Sequence, residues 1–224
     1  MDKYNHITLE DILKNEEINA YITNGNDNLG VIGFTEHGFA HAKRSSNYAS
    51  YILRTLHYDD RTCELAAIAG YMHDIGNVVN RVDHAQSGAL MAFQILNRLG
   101  MPPREIALIV AAIGNHDEGT AAAVNPIAAA LILSDKGDVR RTRVRDKETV
   151  GADIHDRVNY AVERASTEVD AEKKTATLNI TIDTQICPVM EYFEIFMTRM
   201  VLCRQAAMYL GLQFELIIND TRLL

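Results

Sequence analysis

The stretch Tyr71-Met72-His73-Asp74-Ile75-Gly76-Asn77 closes an apolar helix on two polar residues. That helix starts near Asp60, turns Leu65, Ile68 and Met72 inward, and is stopped by Ile75-Gly76. A carboxylate beside such a stripe is costly to bury unless it is paired or bound to metal. The pattern recurs on both sides. A helix from about His37 to Leu56 carries His41 on one face with Ser45, Tyr48, Ile52 and Leu56. Asp83 can cap a helix carrying Ala89, Phe93, Leu96 and Leu99, which Gly100 ends. Pro103 opens the next, with Ile106, Ile109, Val110 and Ile113 inward and His116 three residues beyond Ile113. Pro126 opens another, with Ala128, Leu131, Ile132 and Val139 in register and Asp135 three beyond Ile132. Any one of these histidines is more often an ordinary core or surface group. Several imidazoles and carboxylates aimed inward from successive helices suit a first-row divalent metal.

The flanking segments complete a mainly helical chain. Thr8 begins TLED, a capping-like start to a short helix, and Glu16 to about Ile22 continue helical until Asn24-Gly25-Asn26-Asp27 breaks the run. Past about residue 148 the character changes. Asp153–Glu163 reads as one more helix, and Ala165–Val169 and Ala176–Asp183 alternate like strands, with Leu178, Ile180 and Ile182 on one side. Pro188 opens an amphipathic helix to about Tyr209, carrying the stripe Val189, Phe193, Phe196 and Met200. Gly211 ends it, and Gln213–Ile218 is a third strand. The expected architecture is a helical bundle over residues 1–150 with a small C-terminal ββαβ unit over 151–224, the latter a candidate dimerisation element through sheet edges or its long helix.

Bulk properties narrow the class. A chain of 224 residues with 47% hydrophobic and 23% charged side chains can bury a useful core. The net charge of −8 argues against coating duplex nucleic acid, which needs a basic face. Cys63, Cys187 and Cys203 are widely spaced in apolar helical contexts and read as small core residues in a reducing compartment. The opening MDKYNHITLEDILK shows no apolar leader, and no run of 18 apolar residues occurs, so a cytoplasmic protein with no membrane span is expected.

The order EHGFAHAKR, YMHDIGN, DHAQSGALMAFQIL, NHDE and LILSDK over residues 35–145 resembles the motif series of HD-domain metal-dependent phosphohydrolases. The resemblance implies the HD helical bundle and hydrolysis of a small phosphate ester, nucleotide or related monoester or diester. It implies His41, His73, Asp74 and Asp135 as ligands of one metal, and His84 and His116 as the additional ligands of members holding two, bridged by Asp74. The implied cofactor is one or two divalent ions from Fe, Mn, Ni and Co. If one ion binds, His84 and His116 would instead contact phosphate or transfer protons. Asn77 stands where cyclic-di-nucleotide phosphodiesterases carry a lysine, and no GYP signature occurs, which argues against a cyclic-di-GMP substrate.

Lys136 is expected to serve catalysis and, with Arg44 and Asn77, substrate binding; Lys43 and Arg81 are weaker candidates. His37, one turn before His41, is read as support for the site or surface ahead of a substrate contact, and His6, His57 and His155 as surface. The run KGDVRRTRVRDK, residues 136–147, is read as a solvated helix face or a basic rim that attracts a nucleotide. Two other functions share these residues. One is a non-catalytic HD signalling or scaffold module; the other is a di-iron oxygenase of the same helical type.

Overall fold

The N-terminal two thirds of the chain folds as helix upon helix. A computed structural model describes residues 4–119 and 121–224; residues 1–3, at the head of the stretch read as lacking a leader, and Thr120 lie outside the described residues. The helices are α1 (Leu9–Leu13), α2 (Glu16–Val31), α3 (Phe39–Thr55), α4 (Asp60–Met72), α5 (His84–Leu99), α6 (Pro103–Gly114) and α7 (Pro126–Lys136). Side chains set most of the starts. Thr8 and Asp11 form a capping box on α1, Asn15 caps α2, Asp59 caps α4, and Asn125 caps α7 with Pro126 in its first turn. Every residue from Ile127 to Lys136 is buried, so α7 is the central helix, apolar on all sides until its last turn.

Three expectations in this region need correction. The α2 helix does not stop at Asn24 but runs through to Val31. The Asn24 side chain donates back to the Ala20 carbonyl at 2.8 Å, and Gly25 lies against the backbone of Asn77 and Val78, where its lack of a side chain permits the approach. Asp83 precedes α5 without capping it; its backbone is left-handed (φ 57°) and its side chain makes no cap bond. Phe93, expected inward, is 47% exposed; α5 packs instead through Ala85, Gly88, Ala89, Ala92, Ile95 and Leu96.

The run 136–147 is not a helix face either. Only Arg141–Arg143 makes a 3₁₀ turn, and its arginines bind backbone carbonyls and carboxylates. Arg143 is buried, with Nε donating to Glu36 O and Nη1 to Asp138 O at 2.9 and 2.8 Å. Arg145 donates to Phe34 O and Asn26 O, Arg140 pairs with Asp138 and Glu36, and Arg141 donates to Tyr160 O. Arg140, Arg143 and Arg145 clasp the chain before α3 to the chain after α7, and Arg141 ties that same stretch to Tyr160.

Beyond the clasp come α8 (Ile154–Ala161), capped by Asp153, and the strands β1 (Val162–Asp170) and β2 (Thr175–Ile182). Then follow α9 (Val189–Tyr209), β3 (Gln213–Ile218) and a short β4 (Thr221–Arg222) that was not expected. The β1–β2 hairpin is antiparallel, with Thr167 opposite Leu178; β2 and β3 are parallel, with Leu178 opposite Leu216. A parallel pair needs a crossover, and α9 is that crossover. Its inward face is Tyr192, Phe196, Met200, Cys203, Ala206 and Ala207, with Val189 and Phe193 only half-buried, and it packs against α7. One core cluster runs from Ile7 to Ile218 through helices and sheet alike. All three cysteines are buried free thiols. Among the described residues no helix is long and apolar enough to cross a membrane.

Two glycines let the backbone crowd around the end of α4. At Gly70 a Cβ would lie 2.8 Å from Ser45 and Ser46 of α3, and at Gly76 it would lie 2.0 Å from His84 O and 2.5 Å from Gly88 N. Gly76→Ala is therefore expected to destabilise the protein by about 3 kcal/mol or more, since backbone on both sides must move. The urea unfolding midpoint measures this, and a midpoint equal to that of the wild type would exclude the close approach.

Candidate metal centre

The five residues singled out by their inward placement, and His84, which the resemblance added, come together. His41 sits in the first turn of α3, His73 directly follows α4, Asp74 leads into a 3₁₀ turn over Ile75–Val78, His84 opens α5, His116 follows α6, and Asp135 lies in the last turn of α7. Every one of them is buried. His41 Nε2 is 3.2 Å from His73 Nε2, and His84 Nε2 is 3.2 Å from His116 Nε2.

The outer nitrogen of each imidazole settles its tautomer. Nδ1 of His73, His84 and His116 lies 2.8, 3.0 and 2.6 Å from the carbonyls of Gly70, Arg81 and Ile113, and a carbonyl can only accept. Nδ1 of His41 faces Asp138 Oδ2 at 2.8 Å, and against the opposing effect of burial the hydrogen bond from His41 and the charge of Arg143 hold the Asp138 carboxyl well below the usual range. With Nδ1 protonated, each ring when neutral presents a lone pair at Nε2; at His73 the neighbouring carboxylates favour a proton on that nitrogen, the place a cation would take.

Asp74 stands between the two pairs. Its Oδ2 is 3.3 Å from His73 Nε2 and 3.6 Å from His41 Nε2; its Oδ1 is 3.4 Å from His84 Nε2 and 3.9 Å from His116 Nε2. Asn77 Nδ2 donates to Oδ1 at 2.9 Å, whereas Oδ2 is buried and accepts no hydrogen bond. Asp135 Oδ1 closes the first pair, 3.2 Å from His41 and 3.7 Å from His73. Three overlapping trios could hold an ion: His41, His73 and Asp74; His73, His116 and Asp135; and Asp74, His84 and His116.

The electrostatics call for positive charge. Burial alone would lower the His73 imidazole, but Asp74 and Asp135 override it and raise it to about 10. Burial pushes the His116 imidazole down, and His73 and Lys136 push it further. Asp74 and Asp135 remain ionised in spite of burial, because of His73 in one case and Lys136 and His41 in the other.

A family model described as "HD domain" matches residues 38–164. The chain belongs to the HD domain family. HD domains bind divalent metals, and the trios above are where this one could hold them. The chain is also similar to an uncharacterized protein of Methanocaldococcus jannaschii, 27% identical over 105 residues that cover 40% of each protein. It thus spans about two fifths of the length of that relative. A solved structure described as a predicted HD superfamily hydrolase from an uncultured Thermotogales bacterium is 23% identical, covering 60% of this chain and 75% of that one with a TM-score of 0.44.

The HD domain opens through a small recess beside Asp74, His84, His116 and Asp135 into a cleft of about 530 Å³. Among the described residues, Arg44 and Asn77 line neither space. Arg44 is committed elsewhere, with Nε 3.0 Å from Asp138 and Nη2 donating to Ala165 O, so the geometry does not present it to a substrate. Lys136 does line the recess, but its ammonium is paired with Asp135 at 2.7 Å and Glu118 at 3.4 Å. Lys43 is exposed. His37 packs edge-on to His41, its ring lies at the recess, and Nδ1 meets Thr35 O at 2.7 Å. His6 and His57 are exposed, and His155 is mostly so at the outer cleft.

Four residues of the site were not singled out by sequence reasoning. Asp138 lies three residues after Asp135, a spacing that could have found it. Glu118 lies in NHDE, whose histidine alone was used; burial opposes its ionisation, yet Lys136 and Arg199 hold it at about 2. Arg199 interrupts the apolar stripe of α9 between Phe196 and Met200. Arg143 gave no signal beyond its membership of a basic run. Removing this buried guanidinium (Arg143→Met) should cost about 3 kcal/mol of stability, because the carbonyls it satisfies lose their donors. Lys43→Ala, on the surface of α3, should cost under about 0.5 kcal/mol. Thermal denaturation of both variants reads the difference, and equal midpoints would count against the clasp.

Proposed function

We propose that the chain is a metal-dependent phosphohydrolase acting on a small phosphate ester, with His41, His73, Asp74, His84, His116 and Asp135 holding two divalent ions drawn from Fe, Mn, Ni and Co. Metal-dependent phosphohydrolysis is the general activity of the family whose model matches. The observation that carries the reading is the split use of Asp74, one oxygen toward the His41–His73 pair and the other toward the His84–His116 pair. The donor set fits such ions: neutral imidazoles and carboxylates are their ordinary ligands, and the buried Asp74 Oδ2 has no other partner. When bound, the ions lower the pKa of water and polarise the phosphoryl oxygens.

The chain's own residues do the positioning. Asp138 fixes the His41 ring and raises its basicity as a ligand. Asn77 orients Asp74 rather than touching substrate, and Lys136 offsets the charge of Asp135. The buried walls of α7 and the ends of α4 and α6 exclude bulk water, which strengthens each electrostatic contact.

Asp74→Ala should abolish metal binding and ester hydrolysis together, measured by metal analysis and phosphate release; hydrolysis retained in that variant would rule out the bridging role. His84→Ala should leave one equivalent of metal where the wild type holds two, and an unchanged count would reject the two-ion reading. Oxygen consumption without phosphate release would reassign the centre to oxygenase chemistry. Asp138→Asn should retain the fold and bind metal roughly ten- to a hundredfold more weakly, as read by competition with a chelator.

A further inference from the structure

The α9 helix lies beyond the matched segment 38–164, yet it brings a cation to the centre. Arg199 lines both the inner recess and the outer cleft. Its Nε is 2.6 Å from Glu118 Oε1, and its guanidinium carbon lies 4.4 Å from the centroid of the Phe196 ring. Those contacts are an ion pair on the Nε side and a ring against one face. Among the described residues the two terminal NH₂ groups make no hydrogen bond, and the side chain is 23% exposed. Arg143, which lines the same spaces, has its Nε on Glu36 O and its Nη1 on Asp138 O, so at most Nη2 is left to a ligand. Lys136 is closed off by its two carboxylates. Arg81 also faces the recess, but its Nη1 is directed at His84 Nε2 and Asn77 Oδ1. Arg199 is therefore the guanidinium at the centre that keeps both terminal nitrogens, the pair a phosphate needs, outside hydrogen bonds among the described residues.

We propose that Arg199 binds the phosphate of the substrate, so that the C-terminal unit supplies part of the substrate site; this rests on the phosphohydrolase reading above. A guanidinium fork matches two oxygens of one phosphate, and a monoester dianion offers both the oxygens and the charge. Glu118 holds the fork in place through Nε while Phe196 supports its face, so little rotamer freedom is lost on binding. Behind the recess the cleft presents Phe34 and Ile195 on its apolar side and Asp153 and Asn159 as polar groups, in about 530 Å³. That size suits a small molecule. The substrate class is a phosphomonoester carrying one compact organic group with both apolar and hydrogen-bonding edges, of the size of a nucleoside monophosphate.

The test is calorimetric titration of inorganic phosphate into the manganese-loaded full chain, with metal content and melting measured alongside. Arg199→Met should weaken phosphate binding roughly ten- to a hundredfold while manganese content stays at the wild-type value. Arg199→Lys keeps the charge beside Glu118 and should melt near the wild type, yet bind phosphate several times more weakly because the fork is gone. A purely structural tie from α9 to Glu118 predicts the reverse, a lowered melting point in Arg199→Met with phosphate affinity intact. Affinity within about twofold of the wild type in Arg199→Met, or in Arg199→Lys should the first variant fail to fold, overturns the assignment. A wild-type protein that binds no phosphate overturns it as well. A wild type that binds phosphate but releases none from any ester overturns the hydrolase reading alone, and the titration still decides the role of Arg199.

Discussion

Electron pairs converge where a protein interior least tolerates them. Four imidazole nitrogens and two carboxylates face one another inside the helical body, with nitrogen–nitrogen separations of 3.2 Å. Acceptors facing acceptors in a medium of low polarizability repel, and nothing in an apolar core can screen them. Only positive charge reconciles such a cluster with burial. The surrounding charges are arranged to that end: Lys136 lies against Asp135, three arginines border the recess, and the carboxylates stay ionised despite their depth. Much of the fold exists to hold these groups in an arrangement they would not choose.

The helix ends do most of that holding. A helix leaves its last carbonyls without intrahelical partners. His73 folds back onto Gly70 O at the end of α4, and His116 folds back onto Ile113 O at the end of α6, each three residues earlier. One local habit thus satisfies a carbonyl, fixes a tautomer and aims a lone pair inward. His84 does the same with Arg81 O from the start of α5. Only His41, inside the first turn of α3, lacks such a carbonyl, and a carboxylate from beyond α7 takes its place. Gly70 and Gly76 then let the carriers of these rings approach closely enough to meet.

The helical part was legible because its rule is simple: an acid or imidazole on an apolar stripe is out of place and therefore informative. Asp135 and His116 stood out on that ground alone. The same rule applied to α9 would have marked Arg199, three residues past Phe196, but a cation in a tail with no motif reads as surface. Local charge misled twice more. Asn24-Gly25-Asn26-Asp27 looks like a turn, yet Asn24 bonds within its helix and Gly25 serves a distant contact. The arginines of 140–145 look like a solvated rim, yet their partners are carbonyls and carboxylates that in several cases lie more than a hundred residues away, such as Glu36 for Arg143, 107 residues earlier. Periodicity reports which face is buried and says nothing of what a long side chain will find there. The strands of the tail followed from alternation, while β4, two residues long, is too short to show any.

The arginine clasp has a topological consequence. Glu36 N donates to Arg143 O at 2.8 Å while the Arg143 side chain returns to Glu36 O, so the chain entering α3 and the chain leaving α7 are stitched at one seam. The segment between them is closed upon itself before anything outside it is counted. Lengthening the polypeptide ahead of Phe34 or after Arg145 adds no loop-closure entropy within that ring. The metal-facing helices therefore form a ring closed by its own seam, onto which the flanking α2 and α9 are packed.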